Sequence, residues 1–263
     1  MAPRRNQEID LRILILNPNT TSSVTDLLVA TAKEVAAPTT EIVASTARRG
    51  VPYISTRSEA QIGGAIAMET LAENHAAVDA AVVAAFGDPG LFAMRELFEI
   101  PVVGMSEAAM LTSCMLGQRF GIVTFAAALG SWYRDCVEMH GLWGRCAGIR
   151  SLDESFGTLS AVQSEKEEAL VELANTSATI DQADVVILAG APLAGLAARV
   201  RERVPVPLVD PIAAAIKQAE AIVALKPRKP TAGTFRRPVA KPTIGLSEAL
   251  AARIEMRDEP TMI

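Results

Sequence analysis

Aromatic residues, histidine and cysteine are all scarce in this chain, and each shortage narrows what the protein does. Phe, Trp and Tyr make up 4% of the 263 residues while half of the chain is hydrophobic. The core must therefore come from Ala, Val, Ile and Leu, which suits helices packed closely on a sheet. Cys114, Cys136 and Cys146 are odd in number and show neither CxxC nor zinc-ligand spacing, so a disulfide framework is not expected and a reduced, cytoplasmic setting is. No stretch approaches about 18 uninterrupted apolar residues, and the charged start Met1–Asp10 lacks the apolar centre of a signal peptide, so no membrane association is expected. A formal charge of −5 offers no basic footprint for nucleic acid. HExxH, GxSxG, Walker and dinucleotide glycine motifs are all missing, which leaves metal hydrolysis, a serine triad and nucleotide binding without sequence support. A small molecule is the expected partner, with no metal or organic cofactor.

What is present alternates between short β-branched runs and amphipathic segments. Val82–Phe86 ends abruptly in Gly87-Asp88-Pro89-Gly90, and Leu91, Met94, Leu97 and Phe98 then recur at helical spacing. This predicts strand, turn and helix, with the turn at the carboxyl end of a strand, where α/β folds bind ligands. Leu11–Leu16 predicts a strand that stops at Asn17-Pro18-Asn19-Thr20, and Glu41–Ser45 and Pro101–Gly104 predict two more. Helices are expected up to about Asn74 and over Ser106–Leu116.

A second round of the same plan begins at Arg119–Thr124. A helix over Trp132–Met139, a strand near Ala147–Leu152, a helix over Val162–Ile180 and the strand Asp184–Ala189 follow. That strand ends in the small-residue turn Gly190–Gly195; Pro205–Asp210 and Pro211–Ala224 predict a last strand and helix. The expected architecture is two similar α/β lobes, each a doubly wound, mainly parallel sheet flanked by helices, with a ligand cleft between them. The first lobe is assigned residues 11–117 plus 205–225 and the second 118–204. A Pro-rich strap with a short helix takes 226–263, lying on its own or a neighbouring subunit, and the Ala-rich helices point to a homo-oligomer.

Four segments carry a resemblance more specific than the fold: Leu14–Thr21, Phe86–Leu91 with Arg95-Glu96, Pro101–Gly104 with Glu107–Ala109, and Arg119–Thr124. With His140–Leu142, Val209-Asp210 and the Pro-rich end, they resemble the aspartate/glutamate/hydantoin racemase superfamily, most of all its hydantoin and allantoin racemase branch. The resemblance implies a cofactor-independent racemase-type isomerase acting on a small hydantoin, ureido or amino-acid-like substrate held between the lobes. It also implies one cysteine on each lobe, a thiolate removing the α-proton and a thiol returning one to the opposite face. Here those positions are Ala85 and Gly190, and neither moves a proton. A lyase or hydrolase of a small carboxylate or amide using non-cysteine groups is one alternative; a catalytically silent binding protein, or an engineered variant stripped of its site cysteines, is the other.

If catalysis persists, Asp88, Glu107 and His140 are the candidate substitutes, each with a plainer role as a turn or helix-end stabiliser. His75 reads as a helix-end cap in the same way, and the three cysteines read as core residues. For substrate binding the candidates are Asn17, Thr20, Thr124 and the backbone around Phe86, Gly87, Ala191 and Pro192, which offer donors without charge. Asp210 either orients the Asn17 loop or caps the helix that follows it.

Overall fold

The computed structural model describes residues 10–153, 157–159 and 161–257. In the first lobe β1 (Leu11–Asn17), α1 (Ser22–Val35), β2 (Thr40–Thr46), α2 (Arg57–Asn74), β3 (Ala80–Val83), α3 (Leu91–Leu97), β4 (Val102–Gly104) and α4 (Met105–Leu116) follow in order. The second lobe contains β5 (Phe120–Thr124), α5 (Gly130–Met139), β6 (Cys146–Ser151), α6 (Val162–Thr179), β7 (Val185–Ala189), α7 (Leu196–Val200) and β8 (Leu208–Val209). The helices α8 (Pro211–Ala224) and α9 (Glu248–Ile254) close the described chain.

Each lobe is a four-stranded parallel sheet, with order β2-β1-β3-β4 in one and β6-β5-β7-β8 in the other. The order reverses at the β1/β3 and β5/β7 pairs, so a crevice opens beyond the carboxyl ends of those four strands. Leu16 pairs with Val83, and Thr124 with Ala189, which puts the Asn17, Ala84, Phe125 and Gly190 turns in one layer.

Strand alternation sets the core. Ile13, Ile15, Ala80 and Val82 face the cluster that continues under α1 and α8 into the second lobe, whereas Leu14, Leu16, Ala81 and Val83 face a smaller cluster with Leu71, Leu91, Met94 and Leu250. Both faces of the sheet are thus apolar, as a helix-covered parallel sheet requires. No described helix is long and apolar enough to cross a membrane.

The lobe assignment needs one correction. The 205–210 segment does not join the first sheet: Leu208 and Val209 pair with Val186 and Ile187 of the second. Only the helix returns, α8 packing on α1 and α4. Apolar residues on both sides of Asp210 make either lobe a satisfactory host, and pairing with β7 decides the outcome.

The strap lies on its own first lobe. The Lys229 ammonium donates to the carbonyl oxygens of Arg95, of Glu96 at 2.8 Å and of Phe98 at 3.0 Å, at the end of α3. Arg253 on α9 donates to the Leu97 carbonyl at 2.9 Å and pairs with Glu99. A cation at the carboxyl end of a helix satisfies otherwise unpaired carbonyls. Lys229→Met is expected to lower the unfolding free energy by about 1–2 kcal/mol and to expose the strap to limited proteolysis; urea unfolding and a trypsin time course test this.

Candidate functional site

Between the two lobes the turn after β3 faces the turn after β7. Ala85 and Phe86 from the first, and Gly190, Ala191 and Pro192 from the second, line a cleft with Asn19, Tyr53, Phe125, Trp132 and Tyr133. No charged side chain lines it among the described residues. The cleft as it stands is narrow, with a volume of about 30 Å³.

Several expected site residues hold the cleft's walls from behind. Asn17 is buried, its amide donating to Thr25 Oγ1 at 2.9 Å and to the Thr21 carbonyl at 3.3 Å. Thr124 is fully buried and donates to the Ala189 carbonyl at 2.9 Å, tying the ends of β5 and β7. Thr20 bonds the Val51 carbonyl through its N–H, and the Gly87 N–H is taken by Ser106 Oγ. None of these four lines the cleft, because small polar residues at strand ends close the turn's own hydrogen bonds first. Asp210 caps α8 through the N–H groups of Ile212 and Ala213 and accepts from Gly195 at 2.6 Å, so it shapes the 190–195 turn and not the Asn17 loop. Gln163 on α6 pins the same turn through the Pro192 and Ala194 carbonyls at 2.9 and 2.8 Å.

Asn19, Tyr53 and the Trp132-Tyr133 pair are cleft residues that the sequence did not single out. Asn19 had a signal in the Asn-Pro-Asn turn; Tyr53 lies in an irregular segment with no periodicity. Burial raises both tyrosine hydroxyls above their ordinary 10, so they are neutral donors near pH 7.

Behind Phe86 lies a buried charge network. Asp88 sits at φ +48°, accepts from the Ser106 and Glu107 N–H groups at 2.8 Å each, and faces His140 Nε2 at 3.1 Å. It therefore caps α4 and not, as its place in the chain implied, its own turn or the Pro89 helix. The other ring nitrogen, Nδ1, lies 3.5 Å from Glu107, which Arg95 grips through its two terminal guanidinium nitrogens. Cys136, one helical turn before His140, also reaches the network; its Sγ, an Asp88 oxygen and a His140 nitrogen lie within 4.8 Å of one another. Cys136 is a buried core residue, as expected, but it is not remote from the turns, since α5 carries it to the first turn from the other lobe. His75 is remote, bonding the Ala72 carbonyl and packing on Phe98.

Burial opposes the His140 charge, but bonds with Asp88, Cys136 and Glu107 outweigh it and raise its pKa from 6.5 to about 11. Burial likewise opposes the Glu107 carboxylate, and His140 and Arg95 overcome it, lowering the pKa from 4.5 to about 2. Burial pushes the Cys136 thiol up to about 11. Near neutrality this is an imidazolium beside the Glu107 carboxylate and an undissociated thiol.

With this geometry established, likeness to known proteins is decisive. Residues 13–219 match the Asp/Glu/Hydantoin racemase family. The chain belongs to that family. It is 32% identical over 235 residues to a hydantoin racemase of Paenarthrobacter aurescens, covering 88% of this chain and 99% of that one. Among solved structures, an allantoin racemase from Klebsiella pneumoniae superposes with a TM-score of 0.86 at 33% identity over 92% of this chain and 99% of that one. An allantoin racemase from Pseudomonas fluorescens gives 0.81 at 32% identity over 89% and 100%. The two-lobed racemase fold expected from the sequence is the fold observed.

Within the family's cleft, the positions at which the resemblance implies thiols face one another as Ala85 and Gly190. Gly190 is not simply a cysteine without its sulfur: its φ is +124°, and a Cβ there would lie 2.7 Å from Phe125 Cε1. On the other side Trp132 presses on Gly87, where a Cβ would lie 2.2 Å from the indole. The aromatic residues of the second lobe have filled the space beside both turns.

The network's stabilisation has a defined pH window. A histidine with a raised folded pKa stabilises fully below its unfolded 6.5 and ceases to do so as pH rises toward 11; a glutamate with a lowered one stabilises above 4.5 and loses that as pH falls toward 2. The network thus contributes most between pH 4.5 and 6.5. Urea unfolding across pH in chelator-treated buffer should show stability declining above that window, with a shallower decline in His140→Gln. An equally steep decline in the variant contradicts the assignment.

Proposed function

We propose that the protein is a racemase-type isomerase whose cleft takes a small, uncharged hydantoin or ureido ring, and that it acts there without paired thiols. The observation that carries the substrate class is the cleft's lining, which has no charged side chain among the described residues. A free amino acid would bring an ammonium and a carboxylate that nothing there pairs, at a cost of several kcal/mol. A hydantoin or ureido ring brings neutral carbonyl and N–H groups, which Asn19, the two phenols and the backbone of Phe86 and Ala191 match. The likeness to hydantoin and allantoin racemases over nearly the whole chain supports the same class.

The ring's stereocentre would lie between Ala85 and Gly190. With no side-chain base there, enolisation relies on hydrogen bonds to the developing oxyanion and on water, and each absent acid or base lowers the rate roughly 10²–10⁴-fold. The placement of Ala85 and Gly190 also favours a second reading, a binding protein without turnover. The reactions separate in deuterated buffer: slow α-deuteration of a 5-substituted hydantoin, above the buffer rate and accompanied by a thermal shift, supports isomerisation. A thermal shift alone supports binding, and neither effect contradicts both.

Restoring thiols needs more than two substitutions. Ala85→Cys/Gly190→Cys meets the Phe125 ring and a positive φ, so its melting temperature should drop, and Phe125→Leu in the same chain should recover part of it. Faster α-deuteration in the triple variant than in the unmodified chain is the expected outcome; an unchanged rate with ligand still bound contradicts the placement of the stereocentre.

A further inference from the structure

The space on the far side of Trp132 belongs to another site. A cavity of about 290 Å³, separate from the cleft, is lined by Asp88, Cys136, Gly87, Arg57, Asp135 and Trp132 among others. We propose that Asp88, Cys136 and His140 form a binding site for a divalent transition-metal ion of borderline softness, such as zinc, that clamps one lobe to the other.

Four observations converge on this. The donor atoms are a carboxylate oxygen, a thiol sulfur and an imidazole nitrogen, all within 4.8 Å of one another; ligands of a tetrahedral zinc stand about 3.5 Å apart, so modest side-chain movement closes the set. Cys136 in α5 and His140, which caps the carboxyl end of that helix, sit four residues apart, and Asp88 approaches from the other lobe, fixed by two N–H donors. His140 directs Nε2 at Asp88 and Nδ1 at Glu107, and Arg95 holds Glu107 in turn. A carboxylate on the far nitrogen is the arrangement that orients and strengthens a metal-binding imidazole. Finally, Asp88 and Cys136 border the cavity, which gives an ion a route in and a fourth ligand position for water.

Charge and protons balance without another reactant. In the metal-free state one proton sits on the thiol and one on Nε2, between the imidazole and Asp88; the ion replaces both and two protons leave per ion bound. Asp88 Oδ2 keeps its bond from the Glu107 N–H while ligating. The site escapes motif searches because 48 residues separate Asp88 from Cys136 and no spacing rule spans two lobes. It does not depend on the ligand assigned to the cleft.

Cobalt(II) titration of the chelator-stripped full-length protein tests the proposal. The expected result is one ion per chain, with a near-ultraviolet thiolate-to-cobalt band and the strong visible absorption of a four-coordinate ion, displaced by zinc. Cys136→Ser should abolish the near-ultraviolet band, and His140→Gln should weaken binding at least tenfold, each with circular dichroism to establish folding. Should those variants misfold, Cys114→Ser/Cys146→Ser decides, since it leaves Cys136 as the sole thiol and must retain the band. Absence of the band from the unmodified chain, its persistence in folded Cys136→Ser, or its loss from the folded double variant overturns the site.

Discussion

Asp88 has almost no contact with water, and it joins three parts of the chain that would otherwise be independent. It ends the turn that floors the cleft, supplies the cap that α4 lacks at Gly104, and meets His140 of the opposite lobe. A carboxylate so deeply buried persists only with its charge answered by donors and a partner, and removing one partner leaves an uncompensated charge that costs several kcal/mol. Glu107 and Arg95 extend the same compensation to the carboxyl end of α3 and the start of β4. The position of the first turn relative to the second lobe, and with it the width of the cleft, depends on this network.

Seen from that anchor, the departures from the family pattern are connected. Ala85 is two residues before Gly87, whose bare backbone admits Trp132; Tyr133, next in the helix, approaches Phe86 and the Gly190 turn. The same helix then turns Cys136 and His140 toward Asp88. One helix therefore fills the space beside both cleft positions and completes the buried network. What remains is a narrow, uncharged recess with neutral donors, which sets it apart from a site built for a charged amino acid.

Much of the fold was readable because β1, β4 and β7 are short apolar runs that stop at Asn17, Gly104 and Gly190; Pro211–Ala224 was bounded without error. Ala85, Phe86, Gly190, Ala191 and Pro192 line the cleft because they occupy strand-end turns. Less was legible where a side chain's partner lies in the other lobe. Cys136 looked like core and His140 like a helix end, and both are; Asp88 looked like a cap of its own turn and caps α4 instead. Their meeting is set by how α5 packs on the first lobe, which no local spacing encodes. Thr124 and Asn17 show the opposite error: polar residues aimed at a crevice by sequence position were needed by the turn itself.

The central claim is that the two strand-end turns grip an uncharged ring with its stereocentre between Ala85 and Gly190. A crystal structure with 5-methylhydantoin bound tests it most directly. The expected result is the ring in the cleft, its stereogenic carbon between the Ala85 methyl and the Gly190 backbone, its carbonyls bonded to neutral donors. A hydantoin found elsewhere, or held in the cleft with that carbon turned away from both turns, contradicts it.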